Sequence, residues 1–206
     1  MYKLILASSS KNRKELLSHL GISFEVEEPT CNENEILGDS SVTITQKRAF
    51  AKMQSIAQNH KNEKCITIGA DTVIDVSGVI LGKPKTQDEA RQMLSSYSAS
   101  SHLVISSIAL INTYTNKTQQ ATSVSKVHFK KLENHEIETY LKTNDWKDVA
   151  GGYKIQGFAS LFIEKIEGSY SGIVGFPMCE FYSNIKKLCN DIDYNELIFS
   201  LSRSYK

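Results

Sequence analysis

The order of apolar runs and amphipathic segments constrains the fold of this chain more than any other feature. Residues 4–7 and 65–70 are short apolar runs typical of buried strands. Helical patterns over 13–20 and 41–59 lie between these two runs. The middle of the chain instead carries two long β-rich stretches between residues 102 and 129. Early alternation followed by hairpins predicts an α/β protein, with a mixed, twisted sheet flanked by helices.

Local signals predict the shorter elements. Ser77-Gly78 predicts a hairpin turn between strands at 73–76 and 79–81. Thr86, with Glu89 three residues later, has the spacing of a helix capping box. The remaining patterns predict strands at 22–26 and 160–166 and helices at 134–141 and 177–189. A loop is predicted at 168–172.

Length and composition favour one ordinary globular domain. The chain has 206 residues, of which 40% are hydrophobic and 23% are charged. A chain of this size can bury enough apolar surface to fold without disulfides or a structural metal. We find no internal repeat, low-complexity tract or composition shift, so the sequence predicts a single domain over residues 1–206.

The charge balance and the cysteines limit the classes of partner. The chain carries 24 Lys and Arg against 23 Asp and Glu, a net charge of +1, which does not favour nucleic-acid binding. Four scattered cysteines form no CxxC pair and are typical of reduced thiols. Because no signal peptide and no apolar run of about 20 residues is found, we expect a cytoplasmic protein without a membrane partner.

A serine-rich turn joins the first predicted strand to the first predicted helix. Residues 8–14 read Ser-Ser-Ser-Lys-Asn-Arg-Lys. Such a turn exposes backbone N–H groups at the positive end of a helix, which favours anion binding. Lys11 and Arg13 add donors for a phosphate, although the spacing is not that of a P-loop. The alternative is a serine-capped helix whose basic first turn is solvated.

An acidic residue follows the apolar run at 65–70. Asp71 is predicted where this strand ends, and ligands of α/β sheets bind beyond the carboxyl ends of strands. Lys83 and Lys85 are predicted to lie across the following hairpin. A carboxylate beside a lysine suits a metal-phosphate site, in which Asp71 binds Mg²⁺ or activates water. The alternative is an ordinary surface ion pair on a hairpin.

A glycine-rich segment lies later in the chain. Residues 148–157 read Asp-Val-Ala-Gly-Gly-Tyr-Lys-Ile-Gln-Gly, with three glycines within seven residues. This density predicts close backbone approach or unusual dihedral angles. Tyr153 could stack on a nucleobase, and Gln156 could read a base edge. The alternative is a tight loop that serves folding only. Elsewhere the histidines form no HxxxH or HxH pair, so no preassembled zinc site is predicted.

Taken in order, these segments resemble the signatures of the Maf family of nucleotide pyrophosphatases. The resemblance extends from about residue 4 to residue 188. It is carried by segments 4–17, 69–73, 81–84, 150–157 and 168–177. It implies a cleft between two lobes, as in the inosine triphosphate pyrophosphatases. It also implies hydrolysis of a nucleoside triphosphate to the monophosphate and pyrophosphate with a divalent cation, Mg²⁺ or Mn²⁺.

The resemblance also implies roles for individual residues. Asp71 would accept the proton of the attacking water, and Lys83 would neutralise charge on the phosphates. Glu33 would help to hold the cation or the water, so Glu33 and Asp71 are the expected metal ligands. The residues expected to hold phosphates are Ser8, Ser10, Arg13 and Arg48, the last standing where the family usually has lysine. The residues linked to base choice are Asn12, Thr72 and Gln156.

One departure from the family pattern concerns the base. The family usually shows Ser-Pro-Arg-Arg, whereas this chain has Ser-Lys-Asn-Arg at residues 10–13. The Tyr-Lys-Ile-Gln-Gly loop at 153–157 nevertheless resembles the branch that acts on dTTP and UTP. We therefore expect a pyrophosphatase for dTTP, UTP or modified pyrimidine nucleotides that prevents their incorporation. The alternatives are the branch that acts on 7-methyl-GTP and a non-catalytic nucleotide-binding regulator of septum formation. The resemblance further suggests a homodimer.

Overall fold

The central sheet of the computed structural model has seven strands, and the structure describes residues 2–189. The predicted single domain over 1–206 therefore includes residues, 1 and 190–206, that lie outside the described part. The strands are β1 (Lys3–Ala7), β2 (Glu25–Glu27), β3 (Cys65–Val76), β4 (Val79–Leu81), β5 (Ser101–Asn112), β6 (Lys117–Phe129) and β7 (Ile163–Glu167). The helices are α1 (Lys11–Ser18), α2 (Ser41–Ala57), α3 (Gln87–Tyr97), α4 (Asn134–Lys142), α5 (Tyr170–Val174) and α6 (Met178–Leu188).

The sheet is mixed, as the sequence predicts. Its strand order is β2-β1-β3-β5-β6-β7, and β4 pairs with β3 beside this path. Strand β1 is parallel to both β2 and β3, whereas the other pairings are antiparallel. The parallel pairings come from the early strand-helix alternation, and the antiparallel ones from the hairpins. The predicted fold class is confirmed.

Side chains of β1 alternate between the two faces of the sheet. Leu4 and Leu6 pack in a core with Leu17 of α1 and Phe181 of α6. Ile5 and Ala7 face the opposite side, where Ile56 of α2 and Cys65 cover them. Because the two sets of partners come from different helices, the sheet is covered on both faces.

One edge of β3 is divided between two neighbours. Strand β1 pairs with β3 at 65–69, and β4 pairs with it at 74–76. On this edge, residues 70–73 have no strand partner among those described, although β5 pairs with β3 along the other edge. The gap separates two apolar cores, one around α1 and α6 and one around α3 and α4. This is the cleft between two lobes that the family resemblance implies.

Several local expectations need correction. The strand predicted at 22–26 spans only Glu25–Glu27. Strand β3 does not end at Asp71 but continues to Val76, because the β-branched residues that follow extend it into the hairpin. The predicted loop at 168–172 contains the start of α5, where Ser169 caps the helix by accepting a hydrogen bond from the Gly172 N–H. The predicted strand at 160–166 begins only at Ile163, after a short 3₁₀ turn at Phe158–Phe162 that packs on Tyr140.

The predicted capping box at α3 is only half formed. The Glu89 N–H donates to the Thr86 hydroxyl at 3.1 Å, as a capping box requires. The Glu89 carboxylate, however, accepts from the N–H of Lys85 and not from that of Thr86. The carboxylate thus fixes the chain that enters α3, directly after the Lys83 segment.

Candidate active site

The gap in the edge of β3 opens into a cavity of about 630 Å³. Its walls come mainly from five parts of the chain, namely the turn after β1, helix α2 with the preceding turn at Glu33–Glu35, the β3-β4 hairpin, residues 147–156, and residues 173–175 at the end of α5. All ten residues proposed from the sequence line this cavity: Ser8, Ser10, Asn12, Arg13, Glu33, Arg48, Asp71, Thr72, Lys83 and Gln156. The structure therefore brings together residues that are up to about 150 positions apart.

A lysine that the sequence analysis missed lies at the centre of the site. The Lys52 ammonium contacts Asp71 Oδ1 at 2.7 Å and Glu33 Oε2 at 2.8 Å. Lys52 and Asp71 are each only 5% exposed. Burying charges is costly unless they are paired, and here one ammonium compensates two carboxylates. The predicted pairing of Asp71 with Lys83 or Lys85 is not found, because α2 supplies the partner instead.

Gly69 explains how α2 comes close enough to supply Lys52. A Cβ atom at Gly69 would lie 2.1 Å from the Ala49 carbonyl oxygen and 2.5 Å from the Met53 nitrogen. No side chain fits there, so glycine lets the backbone of α2 rest directly on β3. Gly69 and Asp71 are two residues apart on β3 and share a face of the sheet. The close approach at Gly69 thus sets the height of Lys52 above Asp71.

The two carboxylates differ in how fully they are satisfied. Asp71 Oδ2 is buried and has no hydrogen-bond partner among the described residues. Buried polar atoms are normally paired, so the unpaired oxygen of a carboxylate whose side chain lines a cavity is a place for a ligand. Glu33 is half-buried, and burial alone would raise its pKa. The hydrogen bond and charge of Lys52, with Arg13 and Arg48, nevertheless lower the pKa of Glu33, so this carboxylate stays ionised.

Arg13 holds the serine-rich turn in place through three hydrogen bonds. Its Nε donates to the Gly175 carbonyl oxygen at 3.0 Å, and its two terminal nitrogens donate to Ser8 Oγ and Thr72 Oγ1, each at 3.2 Å. Burial lowers the pKa of Arg13, while the charges of Asp71 and Glu33 act in the opposite direction. A guanidinium group has five N–H donors, so two remain for an anion in the cavity.

Ser8 presents a donor to the cavity. Its Oγ accepts from Arg13 and from the backbone N–H of Ser10 at 3.2 Å. These bonds use both lone pairs of the hydroxyl, so its proton is what it can offer a substrate. The predicted serine cap of α1 is not formed, since the side chain of Ser10 makes no capping hydrogen bond. This serine is thus available to the cavity instead.

The opposite wall consists of a loop held by tyrosines. Gly151 and Gly152 both have φ near +70°, a conformation that favours glycine. The Tyr97 hydroxyl donates to the Gly151 carbonyl oxygen at 2.9 Å, and the Tyr140 hydroxyl donates to that of Gly152 at 3.2 Å. The Gly151 N–H donates to the Gly82 carbonyl oxygen at 2.9 Å. This last bond ties the loop to the segment that carries Lys83.

A neutral pair lies beneath this wall. His102 Nε2 and the Tyr153 hydroxyl share a hydrogen bond of 2.8 Å, and both side chains are buried. Burial, with a smaller effect of His128, lowers the pKa of His102 to about 4. The predicted stacking of Tyr153 on a base is not supported. The tyrosine is 4% exposed and its ring packs against Tyr97, His102 and Phe129.

The remaining sequence-predicted residues lie around the rim. Lys83 and Gln156 are exposed, Asn12 is half-buried, and all three line the cavity. Arg48 is also half-buried, and its Nε donates to the backbone carbonyl oxygen of Glu33 at 3.2 Å. Arg48 therefore holds the Glu33 turn, while Lys52, four residues further along α2, contacts the carboxylates.

The fold and the site define an α/β protein with a cleft built around a lysine-carboxylate cluster. A profile of the family described as Maf-like protein matches residues 3–188. The chain belongs to this family. It is 46% identical over 198 residues to the dTTP/UTP pyrophosphatase of Treponema denticola. This alignment covers 91% of this chain and 97% of the relative. The corresponding protein of Clostridioides difficile is 40% identical over 184 residues, covering 89% and 94%.

Among solved structures, the chain is similar to two Ham1 proteins. The Staphylococcus aureus protein gives a TM-score of 0.44 at 13% identity, covering 62% of this chain and 71% of that one. The Coxiella burnetii protein gives a TM-score of 0.43 at 12% identity, covering 98% and 96%. Among the helices of the described residues, none has the length and apolar character needed to cross a membrane.

Proposed function

We propose that this protein is a nucleoside triphosphate pyrophosphatase that acts on dTTP and UTP. The observation that carries the proposal is the unpaired Asp71 Oδ2, an oxygen of a side chain that lines a cavity with an excess of cations. Relatives named dTTP/UTP pyrophosphatase match about nine-tenths of this chain at 46%, 40% and 39% identity, which supports the same reaction here. The expected products are the nucleoside monophosphate and pyrophosphate.

The charge of the cavity suits a polyphosphate. Three carboxylates line it, those of Glu33, Asp71 and Asp148. Seven cationic side chains line it as well, those of Lys11, Arg13, Arg48, Lys52, Lys83, Lys147 and Lys154. The whole protein has a net charge of only +1, so its positive charge is concentrated at this site. A cleft lined by one sign of charge attracts and orients a ligand of the opposite sign.

Four side chains of the site have separate roles in the proposed reaction. Asp71 Oδ2 takes a proton from the water that attacks the α-phosphorus, and the bond from this phosphorus to the bridging oxygen of the β-phosphate breaks. Lys52 orients the Asp71 carboxylate through Oδ1, which leaves Oδ2 for the water. Pyrophosphate leaves with the bridging oxygen, and Arg13 and Lys83 stabilise the charge that develops on it.

The donor set also fits a divalent cation brought by the substrate. Mg²⁺ is commonly held by one or two carboxylates, with substrate phosphates and water completing its shell. The unpaired Asp71 Oδ2 and the half-buried Glu33 supply such oxygens, whereas no cluster of three or more acidic, histidine or cysteine ligands occurs within residues 2–189. Bound there, Mg²⁺ or Mn²⁺ would neutralise phosphate charge and polarise the α-phosphorus.

The test is a panel of nucleoside triphosphates with separate detection of pyrophosphate and orthophosphate. We expect pyrophosphate from dTTP and UTP with Mg²⁺ or Mn²⁺, and no release after addition of EDTA. Orthophosphate together with a nucleoside diphosphate would contradict the reaction. A preference for 7-methyl-GTP would assign the protein to the branch of the family that acts on that nucleotide. Nucleotide binding without any product would favour a non-catalytic regulator.

A further inference from the structure

Lys83 has to reach the phosphates from an exposed segment of the chain. Its side chain lines the cavity but the residue is exposed, whereas Lys52 is buried and held by two carboxylates. A long, exposed lysine side chain has many rotamers, so its position depends mainly on its backbone. The contacts of the residues around Lys83 therefore decide whether its ammonium group meets the substrate.

The segment that carries Lys83 is tied down on both sides. After Lys83, the Lys85 N–H donates to the Glu89 carboxylate in the first turn of α3 at 2.6 Å. Before Lys83, the Gly82 carbonyl oxygen accepts from the Gly151 N–H at 2.9 Å. The first contact belongs to the start of α3. The second belongs to the loop that forms the opposite wall of the cavity, so its strength depends on what holds that loop.

Tyr97, the last residue of α3, holds this loop from within the core. Its hydroxyl donates to the Gly151 carbonyl oxygen at 2.9 Å, and the whole side chain is buried. The ring packs against the rings of His102, Phe129 and Tyr153, which fixes the place of the hydroxyl. Burial raises the pKa of Tyr97, so the hydroxyl keeps its proton and remains a donor.

Gly151 fits tightly enough to transmit the position of Tyr97. A Cβ atom at Gly151 would lie 2.8 Å from the Tyr97 hydroxyl oxygen and 2.3 Å from Ile74 Cδ1. Gly151 is therefore confined between α3 and β3. It accepts from Tyr97 through its carbonyl group and donates to Gly82 through its N–H group. A shift at the first contact is thus passed on to the second, and from there to the residue after Gly82.

We infer that Tyr97 is a positioning residue for Lys83 and acts through Gly151 and Gly82. The inference rests on the proposed function, in which Lys83 stabilises the charge that develops on the leaving pyrophosphate. An interaction made mainly in the transition state raises kcat and has little effect on KM. Loss of the Tyr97 hydroxyl should therefore lower kcat, leave KM nearly unchanged, and have this effect only while Lys83 is present.

Two tyrosine variants separate this role from general support of the core. Tyr97→Phe removes the hydroxyl that holds Gly151 and keeps the packed ring, so the variant should fold. Tyr153→Phe is the matched control, because Tyr153 is also buried and belongs to the same group of rings. Its hydroxyl bonds to His102 Nε2 and not to the backbone of the loop.

The kinetic measurement is kcat and KM for dTTP in each tyrosine variant, with Lys83 present and with Lys83→Met. With Lys83 present, Tyr97→Phe should lower kcat about tenfold, the effect of losing one hydrogen bond. In Lys83→Met it should lower kcat no further, because both changes remove the same interaction. Tyr153→Phe should change kcat by the same factor in both backgrounds. Tyr97→Phe should keep its full effect in Gln156→Ala, which shows that the whole loop has not moved.

Hydrogen exchange of the Gly151 amide, followed by NMR, gives a second readout that needs no reaction. This amide donates the hydrogen bond to Gly82, and exchange requires that bond to open. Tyr97→Phe should therefore accelerate exchange of the Gly151 amide, and Tyr153→Phe should leave its rate unchanged.

The outcomes separate this inference from the proposed function. Additive effects of Tyr97→Phe and Lys83→Met on kcat would overturn the inference and leave Tyr97 as a support of the fold alone. An unchanged exchange rate of the Gly151 amide in Tyr97→Phe would overturn it as well. If the unmodified protein releases no pyrophosphate from any nucleotide, the proposed function fails. The exchange rate then decides by itself whether Tyr97 holds the segment that carries Lys83.

Discussion

Two polar clusters are buried beside the same cavity, and they differ in charge. The ionic cluster consists of Lys52, Asp71 and Glu33, joined by contacts of 2.7 and 2.8 Å. The neutral cluster consists of Tyr97, His102 and Tyr153, whose rings pack together. Burial raises the pKa of both tyrosines and lowers that of His102, so these groups stay uncharged near neutral pH.

This difference in charge indicates which cluster takes part in the reaction and which cluster supports the structure of the site. A buried charge is costly, and replacing an ion pair by apolar residues often stabilises a protein. The ionic cluster is therefore better explained by function than by stability, because it leaves one carboxylate oxygen free for a ligand. The neutral cluster lies under the loop whose Gly151 carbonyl oxygen Tyr97 holds in place. The Tyr97 hydroxyl thus supports the backbone, while His102 and Tyr153 form a hydrogen bond with each other that needs no charge.

Removing the charge of Asp71 should have the largest effect on activity and tests whether the ionic cluster carries the chemistry. We expect Asp71→Asn to lower kcat by at least a hundredfold, since general base catalysis typically contributes 10²–10⁴-fold. The protein should still fold, because Lys52 keeps Glu33 as a partner. Asp75→Asn is the matched control on the same face of β3. Its carboxylate holds the Gly78 N–H and the Ser41 hydroxyl outside the cavity lining, so this variant should keep its activity.

Steady-state kinetics on dTTP, together with thermal unfolding, check both aspartate variants. Near-normal turnover of Asp71→Asn would place the general base elsewhere, with Glu33 the next candidate. A similar loss of turnover in Asp75→Asn would mean that any change on this face of β3 disturbs the site. The two clusters could then not be told apart by charge.

Removing the cation tests how the ionic cluster is balanced. Lys52→Met should lower the free energy of unfolding by about 3–5 kcal/mol, because it leaves a buried carboxylate without its partner. Adding Asp71→Asn to Lys52→Met should restore most of this stability but none of the activity. Urea unfolding of the two single variants and the double variant measures the coupling. A double variant as unstable as Lys52→Met would show that Lys52 acts through packing.

The neutral cluster should make its own contribution to the pH dependence of stability, through His102. The pKa of His102 is lowered from an ordinary 6.5 to about 4, so the folded protein favours the neutral imidazole. Its contribution to stability is present above pH 6.5 and is lost as the pH falls towards 4. A difference of this size corresponds to about 3 kcal/mol. The free energy of unfolding of His102→Phe should therefore fall less over this range than that of the unmodified protein.

Parallel urea titrations at several pH values between 7.5 and 4 measure this difference. The lowered pKa of Glu33 contributes equally to both proteins, so it cancels in the comparison. Parallel stability curves for the two proteins would mean that His102 is as easily protonated in the folded state as in the unfolded state.

The smallest expected effect concerns the base. Gln156 belongs to the loop above the neutral cluster, and its amide can match the edge of thymine or uracil. Gln156→Ala should cost about 1–3 kcal/mol in kcat/KM for dTTP, through an unpaired polar base edge. Asn12→Arg, which restores the usual family residue, should sharpen the preference for pyrimidines. Ratios of kcat/KM for dTTP, UTP, CTP and 7-methyl-GTP test both, and unchanged ratios would contradict the assignment.

Local patterns predicted much of the fold because each depends on neighbouring residues. The strands, the β3-β4 hairpin and most helices follow from periodicity and turn residues. The bounds of β3 do not follow from them, because Asp71 interrupts an apolar run and is predicted to end the strand. Whether a polar residue ends a strand depends on what lies opposite it. Here a cavity and a lysine from α2 accept Asp71, and neither is visible in the local sequence.

The site residues were found through the family resemblance, and Lys52 was missed. A signal was present, since Lys52 lies on α2 between Ala49, Met53 and Ile56, the residues that form its apolar face. A lysine within a buried stripe requires a partner. What the sequence could not give is the partner itself, because Lys52 and Asp71 meet only through the close approach of α2 at Gly69.

The long ladder between β3 and β5 has a mechanical consequence. The two strands pair at ten consecutive positions, from Ile66 to Asp75, and pass through both apolar cores. Both walls of the cleft are attached to these two paired strands, so a movement that separates the walls would strain the ladder. We therefore expect the ladder to limit changes in the width of the cleft, and side chains at the rim to contribute to selection among nucleotides.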